Sequence, residues 1–327
     1  MKRAITAFGL SLGLALSTPV AAHDVKSSDA KTNQGPVLPA EQLYKAFGWD
    51  MENVEIKTEK VADGLYVLFG NGGNIAVSVG EDGTLIVDDQ FPQLMPKIKA
   101  ALKEIGSEKV DFVINTHWHF DHADGNMALG KDGTWIVSQS NSREKMRSDH
   151  IINLGFVAYE QKAYPAHAIS DITYDTTMQF HINGEKIDLL HFGPAHTTGD
   201  SAIVFRGKNA VHLGDIFNNS GYPFIDADNG GDIAGMIAFC QAVHDTINDD
   251  TKVIPGHGPV TTRVKLARYI EVLTIIKDRV QRMIDEGKDL QAIVAAKPTA
   301  EFDKEFYGVE VTTTAFVGRV YASLANK

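Results

Sequence analysis

Three histidines and an aspartate fall within six residues, His117-Trp118-His119-Phe120-Asp121-His122. Imidazoles and carboxylates are costly to take out of water unless something pairs with them. Trp118, Phe120 and the mostly apolar stretch 110–114 just before the run imply that it is partly buried. A divalent cation is the partner that suits such donors, because imidazole nitrogen and carboxylate oxygen bind zinc at roughly 2.0–2.2 Å. In an extended loop His117 and His119 project to the same side and grip one ion, while Asp121 and His122 turn towards a second. Three later segments add donors, each at the end of an expected strand. They are His196 in Gly193-Pro194-Ala195-His196-Thr197-Thr198-Gly199, Asp215 in His212-Leu213-Gly214-Asp215, and His257 in Pro255-Gly256-His257-Gly258-Pro259. Glycine beside such a residue lets the backbone come close to an ion. Any one of these pieces reads as structural; four in this order point to a metal centre.

The elements that must hold these residues are short strands. Segments 64–69 and 74–79 flank a glycine-rich turn, and 84–88 follows a second turn at Glu81-Asp82-Gly83. Residues 93–105 form an amphipathic helix with Leu94, Ile98, Leu102 and Ile105 on one face. A similar grammar returns later. Segments 178–182 and 186–190 flank Asn183-Gly184, a hairpin signal, and 201–205 and 210–213 flank a polar turn. A helix around 235–243 and a strand at 252–254 come next. Two halves, each strands then helix, imply an α+β chain with two sheets face to face and helices outside. From Thr262 onwards Leu266, Ile270, Leu273, Ile276, Val280 and Ile284 make one helical stripe, read as core packing.

The chain has 327 residues, of which 43% are hydrophobic and 22% charged, so it is globular and not disordered. Its net charge of -11 excludes the basic surface that nucleic acid or anionic membranes reward. Lys2 and Arg3 precede an apolar run over 4–16 and then small residues to Ala22. This is the pattern of a cleaved export signal over 1–22, too short for a spanning helix. A periplasmic or secreted location and no membrane anchor are therefore expected. A polar segment, 23–53, reads as an exposed N-terminal arm. The single cysteine, Cys240, lies in an apolar helical pattern and reads as a buried structural thiol.

The His-x-His-x-Asp-His run, followed by a histidine, an acid and a final histidine, resembles the signature of the metallo-β-lactamase superfamily, over roughly 60–262. The resemblance implies an αββα sandwich over 54–262, with a C-terminal helical extension over 263–327 and the site at one edge of the two sheets. Carried over by position, it implies two Zn2+ ions per chain. His117, His119 and His196 would hold one, Asp121, His122 and His257 the other, and Asp215 would bridge them. An aspartate at the bridging position is similar to the glyoxalase II and phosphodiesterase branches, whereas the best-known β-lactamases carry cysteine or serine there. The family also places an acid near Asp88 and Asp89 that orients a ligand histidine through its other nitrogen. Asp200 is a further candidate for that supporting role.

Two such ions lower the pKa of a shared water towards about 7 and so imply metal-assisted hydrolysis of a small molecule, with Asp121 handling the proton. Export places the chain where β-lactam antibiotics act, which makes lactam opening the leading expectation. Esterase, lactonase or glyoxalase II-like thioesterase activity is the alternative. An iron persulfide dioxygenase, with one ion held by two histidines and an aspartate, is the competing class, and a non-catalytic binding module is a third. Phe91, Trp118, Phe217, Asn219 and Tyr222 are the expected pocket walls, and 70–74 is expected to act as a mobile flap. His150, His167, His181, His191, His212 and His244 are read as surface or satisfied core groups.

Overall fold

The computed structural model describes residues 34–325. The expected leader, 1–22, and the first part of the arm lie outside those described residues. The described chain opens with a two-residue strand, β1 (Val37–Leu38), and helix α1 (Ala40–Ala46). Strands β2 (Lys57–Ala62), β3 (Leu65–Phe69), β4 (Ile75–Gly80) and β5 (Gly83–Val87) precede helix α2 (Met95–Glu104) and strand β6 (Phe112–Ile114). Two one-turn helices, α3 (Phe120–Ala123) and α4 (Asn126–Leu129), lead to β7 (Trp135–Gln139) and α5 (Ser140–Met146). Strands β8 (His150–Asn153), β9 (Ala158–Gln161) and β10 (Ile172–Tyr174) complete the first half. The second half runs β11 (Thr177–Ile182), β12 (Glu185–Leu190), β13 (Ala202–Phe205), β14 (Ala210–His212), α6 (Ile233–His244), β15 (Lys252–Ile254) and β16 (Thr261–Thr262). Three helices end it: α7 (Arg263–Asp285), α8 (Leu290–Ala295) and α9 (Glu310–Ala325).

Two sheets carry the fold. The first has the order β10-β7-β6-β5-β4-β3-β2 and the second β11-β12-β13-β14-β15-β16. Strands β2 to β5 pair as an antiparallel meander, while β5, β6, β7 and β10 run parallel. Asn183 and Gly184 both sit at positive φ, 57° and 65°, as the tight turn joining β11 to β12 requires. Alternation along the strands sends one set of side chains between the sheets. There Leu65, Val67, Leu85, Val87 and Ile114 meet Ile187, Leu189, Ile203, Phe205 and Ile254. The opposite set faces outwards under helices. Val77, Ile86 and Val113 lie beneath Leu43 of α1 and Ile98 and Leu102 of α2. Val204, Val211 and Val253 lie beneath α6, α7 and α9. The layers are therefore helix, sheet, sheet, helix.

One sequence expectation changes here. Residues 34–53 are not an exposed arm: β1 pairs in parallel with β9, and Leu43 is completely buried in the outer helix layer. Leu43 and Tyr44 do this work, with Phe47 and Trp49 partly buried against the same cluster, within a segment whose average polarity conceals them. The C-terminal stripe packs as core, as expected: Leu266, Leu273, Ile276 and Val280 share one buried cluster with Val211 and Val253 of the second sheet. The segment 123–175 contributes strands and helices of three to seven residues, too short to show a period. Cys240 is buried, and burial pushes its thiol far up, which leaves it protonated and inert.

Packing of the arm predicts its energetic weight. Leu43→Ala should lower stability by about 2–5 kcal/mol, seen in urea as a lower midpoint at unchanged slope. A loss below about 0.5 kcal/mol, the usual value for a surface position, would show that the segment contributes nothing.

Candidate metal centre

Four of the expected ligands lie in the segment that leaves β6. Asn115 still bonds to the neighbouring strand, N to Val137 O at 2.9 Å, and the chain then turns through Thr116 into α3. His196 sits in a turn whose shape Asp200 sets by accepting from Thr197 N and Thr197 Oγ1, both at 2.7 Å. Asp215 leaves β14 in a short 3-10 turn, and His257 follows β15. All seven residues thus emerge from strand ends at one edge of the paired sheets. They form three overlapping groups, His117/His119/His196, His117/His122/Asp215 and Asp121/His122/His257, whose donor atoms lie within 4.8 Å of one another.

What sits behind each imidazole decides which nitrogen points inwards. Asp88 accepts Thr116 N on Oδ1 at 2.7 Å, and Thr116 Oγ1 and His122 Nδ1 on Oδ2 at 2.8 and 2.7 Å. Thr116 has spent its only proton on Asp88, so its oxygen accepts from His117 Nδ1 at 2.9 Å. Asp226 takes the Nε2 proton of His119 at 2.9 Å, and Phe224 O takes the Nδ1 proton of His196 at 2.8 Å. The remaining nitrogens of His119 and His196 are therefore lone pairs, and they face each other at 2.8 Å. His117 Nε2 is buried and has no hydrogen-bond partner. Lone pairs this close repel unless a cation lies between them, and a nitrogen-and-carboxylate donor set is the kind zinc accepts. The residues fit a metal.

Asp215 connects the two halves of the cluster. Its Oδ1 is 3.1 Å from His122 Nε2 and 3.4 Å from His257 Nε2, while its Oδ2 is 3.7 Å from His196 Nε2. Asp121 Oδ2 lies 3.2 Å from His257 Nε2. Burial and the neighbouring imidazoles His122 and His196 hold His117 well below the usual histidine range. Burial acts in the same direction on His257, but Asp215 and Asp121 outweigh it and push this imidazole up to about 10. His122 is raised well above its ordinary value by Asp215, Asp121 and Asp88, again against burial. In the metal-free protein protons thus occupy positions that a cation would take.

Two glycines show how tightly the shell closes. A Cβ on Gly73 would sit 2.2 Å from the His122 ring, and one on Gly256 would sit 2.0 Å from Asp215 Oδ1. The 70–74 loop is not a free flap. Gly73 N bonds to Asp121 O, Asn74 N to Gly256 O, and Asn74 Nδ2 to Pro255 O and Gly258 O, at 2.7–2.9 Å. Gln90 Nε2 adds a bond to Gly73 O at 2.6 Å.

A cavity of about 350 Å³ opens onto His119, Asp121, Asp215 and His257. Its walls are Phe47, Trp49, Phe120, Phe156, Tyr222, Phe224 and Phe316. Of the walls expected from sequence, Tyr222 alone is among them. Trp118 is fully buried against the rings of His119 and His150, and Phe91 is buried against Tyr44. Phe217 packs on Tyr269 in the core, and Asn219 turns away to bond Pro259 O. Asp88 buttresses two imidazoles, whereas neither carboxylate oxygen of buried Asp89 has a partner. Burial and the adjacent Asp88 keep the Asp89 carboxyl well above the carboxylate range. His212 is a satisfied core group, bonded to Asn74 O and Gly214 N. Asp226 escaped the sequence reading because it meets His119 across 107 positions with no motif around it.

Two outcomes are expected at this centre. Asp226→Ala frees the His119 tautomer and should weaken metal affinity by about 10–100-fold in competition with a chromophoric chelator; an unchanged affinity would remove Asp226 from the support. His122 and His257 carry protons below their raised pKa values, so a cation must displace them. Affinity should rise with pH towards about 10, and titration calorimetry in buffers of different ionisation enthalpy should record proton release. Binding without proton release would contradict that electrostatic picture.

Comparison with known proteins gives one consistent result. The profile of the metallo-beta-lactamase superfamily matches residues 68–261. The mitochondrial hydroxyacylglutathione hydrolase of Saccharomyces cerevisiae is 24% identical over 190 residues, 56% of this chain and 59% of that protein. The beta-lactamase-like protein 2 homolog of Caenorhabditis elegans is 22% identical over 193 residues, 57% of each chain. The chain thus spans somewhat under three fifths of the length of these relatives. Among solved structures, a metallo-beta-lactamase from Pontibacter korlensis superposes with a TM-score of 0.53 at 16% identity, over 67% of this chain and 99% of that one. The sec-alkylsulfatase Pisa1 from Pseudomonas sp. superposes with a TM-score of 0.60 at 15% identity, over 89% of this chain and 58% of that one. The layered fold, the convergent histidines and aspartates and the profile match agree: the chain belongs to the metallo-beta-lactamase superfamily.

Proposed function

We propose that the protein is a two-zinc hydrolase that opens the acyl bond of small, predominantly apolar substrates, with uncharged esters and lactones ahead of β-lactams. The single observation that carries the reading is the opposed pair of lone pairs on His119 and His196, beside a second donor group joined to it through Asp215. His117, His119 and His196 would hold one zinc and Asp121, His122 and His257 the other, with a carboxylate oxygen of Asp215 turned to each. Bound zinc supplies Lewis acidity and a hydroxide nucleophile at neutral pH. A single ion held by two histidines and an aspartate, as in a persulfide dioxygenase, would leave four inward donors without a cation.

The chain's own side chains do the rest. Asp121 lines the cavity beside Asp215 and His257, which fits its carboxylate to carry a proton to the leaving group. The aromatic walls take the apolar part of the substrate and exclude water from the carbonyl. Arg319 is the one lysine or arginine among the cavity residues, and its guanidinium nitrogens are buried. Penicillins and cephalosporins carry a carboxylate, and glutathione thioesters carry two. Neither finds an accessible lysine or arginine among the described cavity residues, which supports the uncharged substrates as the better fit. The periplasmic or secreted location expected from the leader belongs to the same proposal.

Metal analysis with a substrate panel tests it. Two zincs per chain are expected, with turnover of an aryl ester and a lactone exceeding that of a chromogenic cephalosporin and a glutathione thioester. His119→Ala should lose metal and nearly all turnover. One iron per chain with oxygen uptake, or full activity in His119→Ala, would overturn the reading.

A further inference from the structure

The segment 224–229 backs the metal centre from one side. Phe224 O holds His196 Nδ1 and Asp226 holds His119 Nε2, while Asp226 N bonds back to His196 O at 3.0 Å. Both imidazoles it orients belong to the His117/His119/His196 group; none belongs to Asp121/His122/His257. The segment is held from two sides: Asn229 Nδ2 bonds both carboxylate oxygens of Asp226 and Ile151 O of β8, and the C-terminal helix supplies an arginine. Arg319 of α9 is 2% exposed, its Nε donates to Ile225 O at 3.3 Å, and its Nη2 lies 3.1 Å from Asp228 Oδ2. Asp228 Oδ2 also accepts Asn153 Nδ2 of β8 at 2.8 Å.

A buried guanidinium with Nη1 unpartnered is a costly occupant of a helix face where an apolar side chain would pack without penalty. Its contacts with the segment that steers two imidazoles give that cost a use. We propose that Arg319 is a positioning residue that tunes one of the two metal positions, the one made by His117, His119 and His196, through the segment 224–229. The inference rests on the two-zinc reading above. It makes the C-terminal extension part of the support of the centre. Losing the strut lets Asp226 and Phe224 O drift from His119 and His196, whereas His122 remains fixed by Asp88 and His257 by its own loop.

The test is a zinc titration against a chromophoric chelator on the full chain, with Arg319→Met, Arg319→Lys and Asp228→Asn beside Leu273→Ala. The last removes buried volume from α7 in the outer helix layer, and serves as a control for general destabilisation. Arg319→Met and Asp228→Asn are expected to hold one zinc as tightly as the parent and the other about 10–100-fold more weakly. Arg319→Lys should recover part of the loss, and Leu273→Ala should keep both zincs tight despite a lower Tm. Two tight zincs in Asp228→Asn and in folded Arg319→Met, or a parallel weakening of both zincs that Leu273→Ala reproduces, would overturn the inference. A parent protein that holds fewer than two zincs would instead overturn the two-zinc reading, and this inference with it.

Discussion

Four imidazoles turned inwards with their protons facing outwards are the constraint on which the rest of the molecule depends. Each needs an acceptor behind it, because an unsatisfied N–H in a buried site costs on the order of 1–3 kcal/mol. Asp88 meets this demand for His122 directly and for His117 through the Thr116 hydroxyl. Asp226 and Phe224 O meet it for His119 and His196. Seen this way, the two sheets are a frame that brings the end of β5, the loop after β6 and the segment before α6 to one edge. Asp88 itself adopts φ 63°, an unfavourable backbone state for a residue with a side chain, and keeps it while bonding three groups at once.

The electrostatics follow from the same arrangement. Carboxylates at Asp121 and Asp215 sit on one side of the cluster, and there the imidazoles hold protons strongly. On the other side imidazoles face imidazoles, and burial keeps His117 and His196 neutral. The two halves therefore differ in character before any metal enters: one exchanges protons for a cation, and the other offers bare lone pairs. The aromatic cavity above both contributes little charge of its own, so the polarity of the site is concentrated at its base.

The inward-facing residues were legible in the sequence because ligand chemistry restricts both residue type and spacing, and strand-ending glycines mark the close approaches. The strands were legible where alternation or an Asn-Gly turn was present, as in β11 and β12. Residues that act across long separations were not. Asp226 lies in a loop without a motif, and Phe156 and Phe224 look like any exposed-loop aromatics until the fold gathers them. Trp118 and Phe91 show the reverse error: both were expected as pocket walls, yet their apolar bulk is completely buried beneath the site. The polarity of 34–53 misled because burial there rests on Leu43 and Tyr44, with apolar neighbours such as Phe47 and Trp49 partly buried, and not on the average.

The cavity draws Phe47 and Trp49 from near the start of the described chain and Thr312, Ala315, Phe316 and Arg319 from near its end. A wall assembled from segments so far apart in the chain closes a long loop, and such contacts form late because much chain entropy must be given up first. During synthesis the sheets can associate while the binding face is still half built, and it acquires its far side only when the final helix docks. Selectivity is then the last property the protein gains on folding and the first it surrenders when either extremity frays.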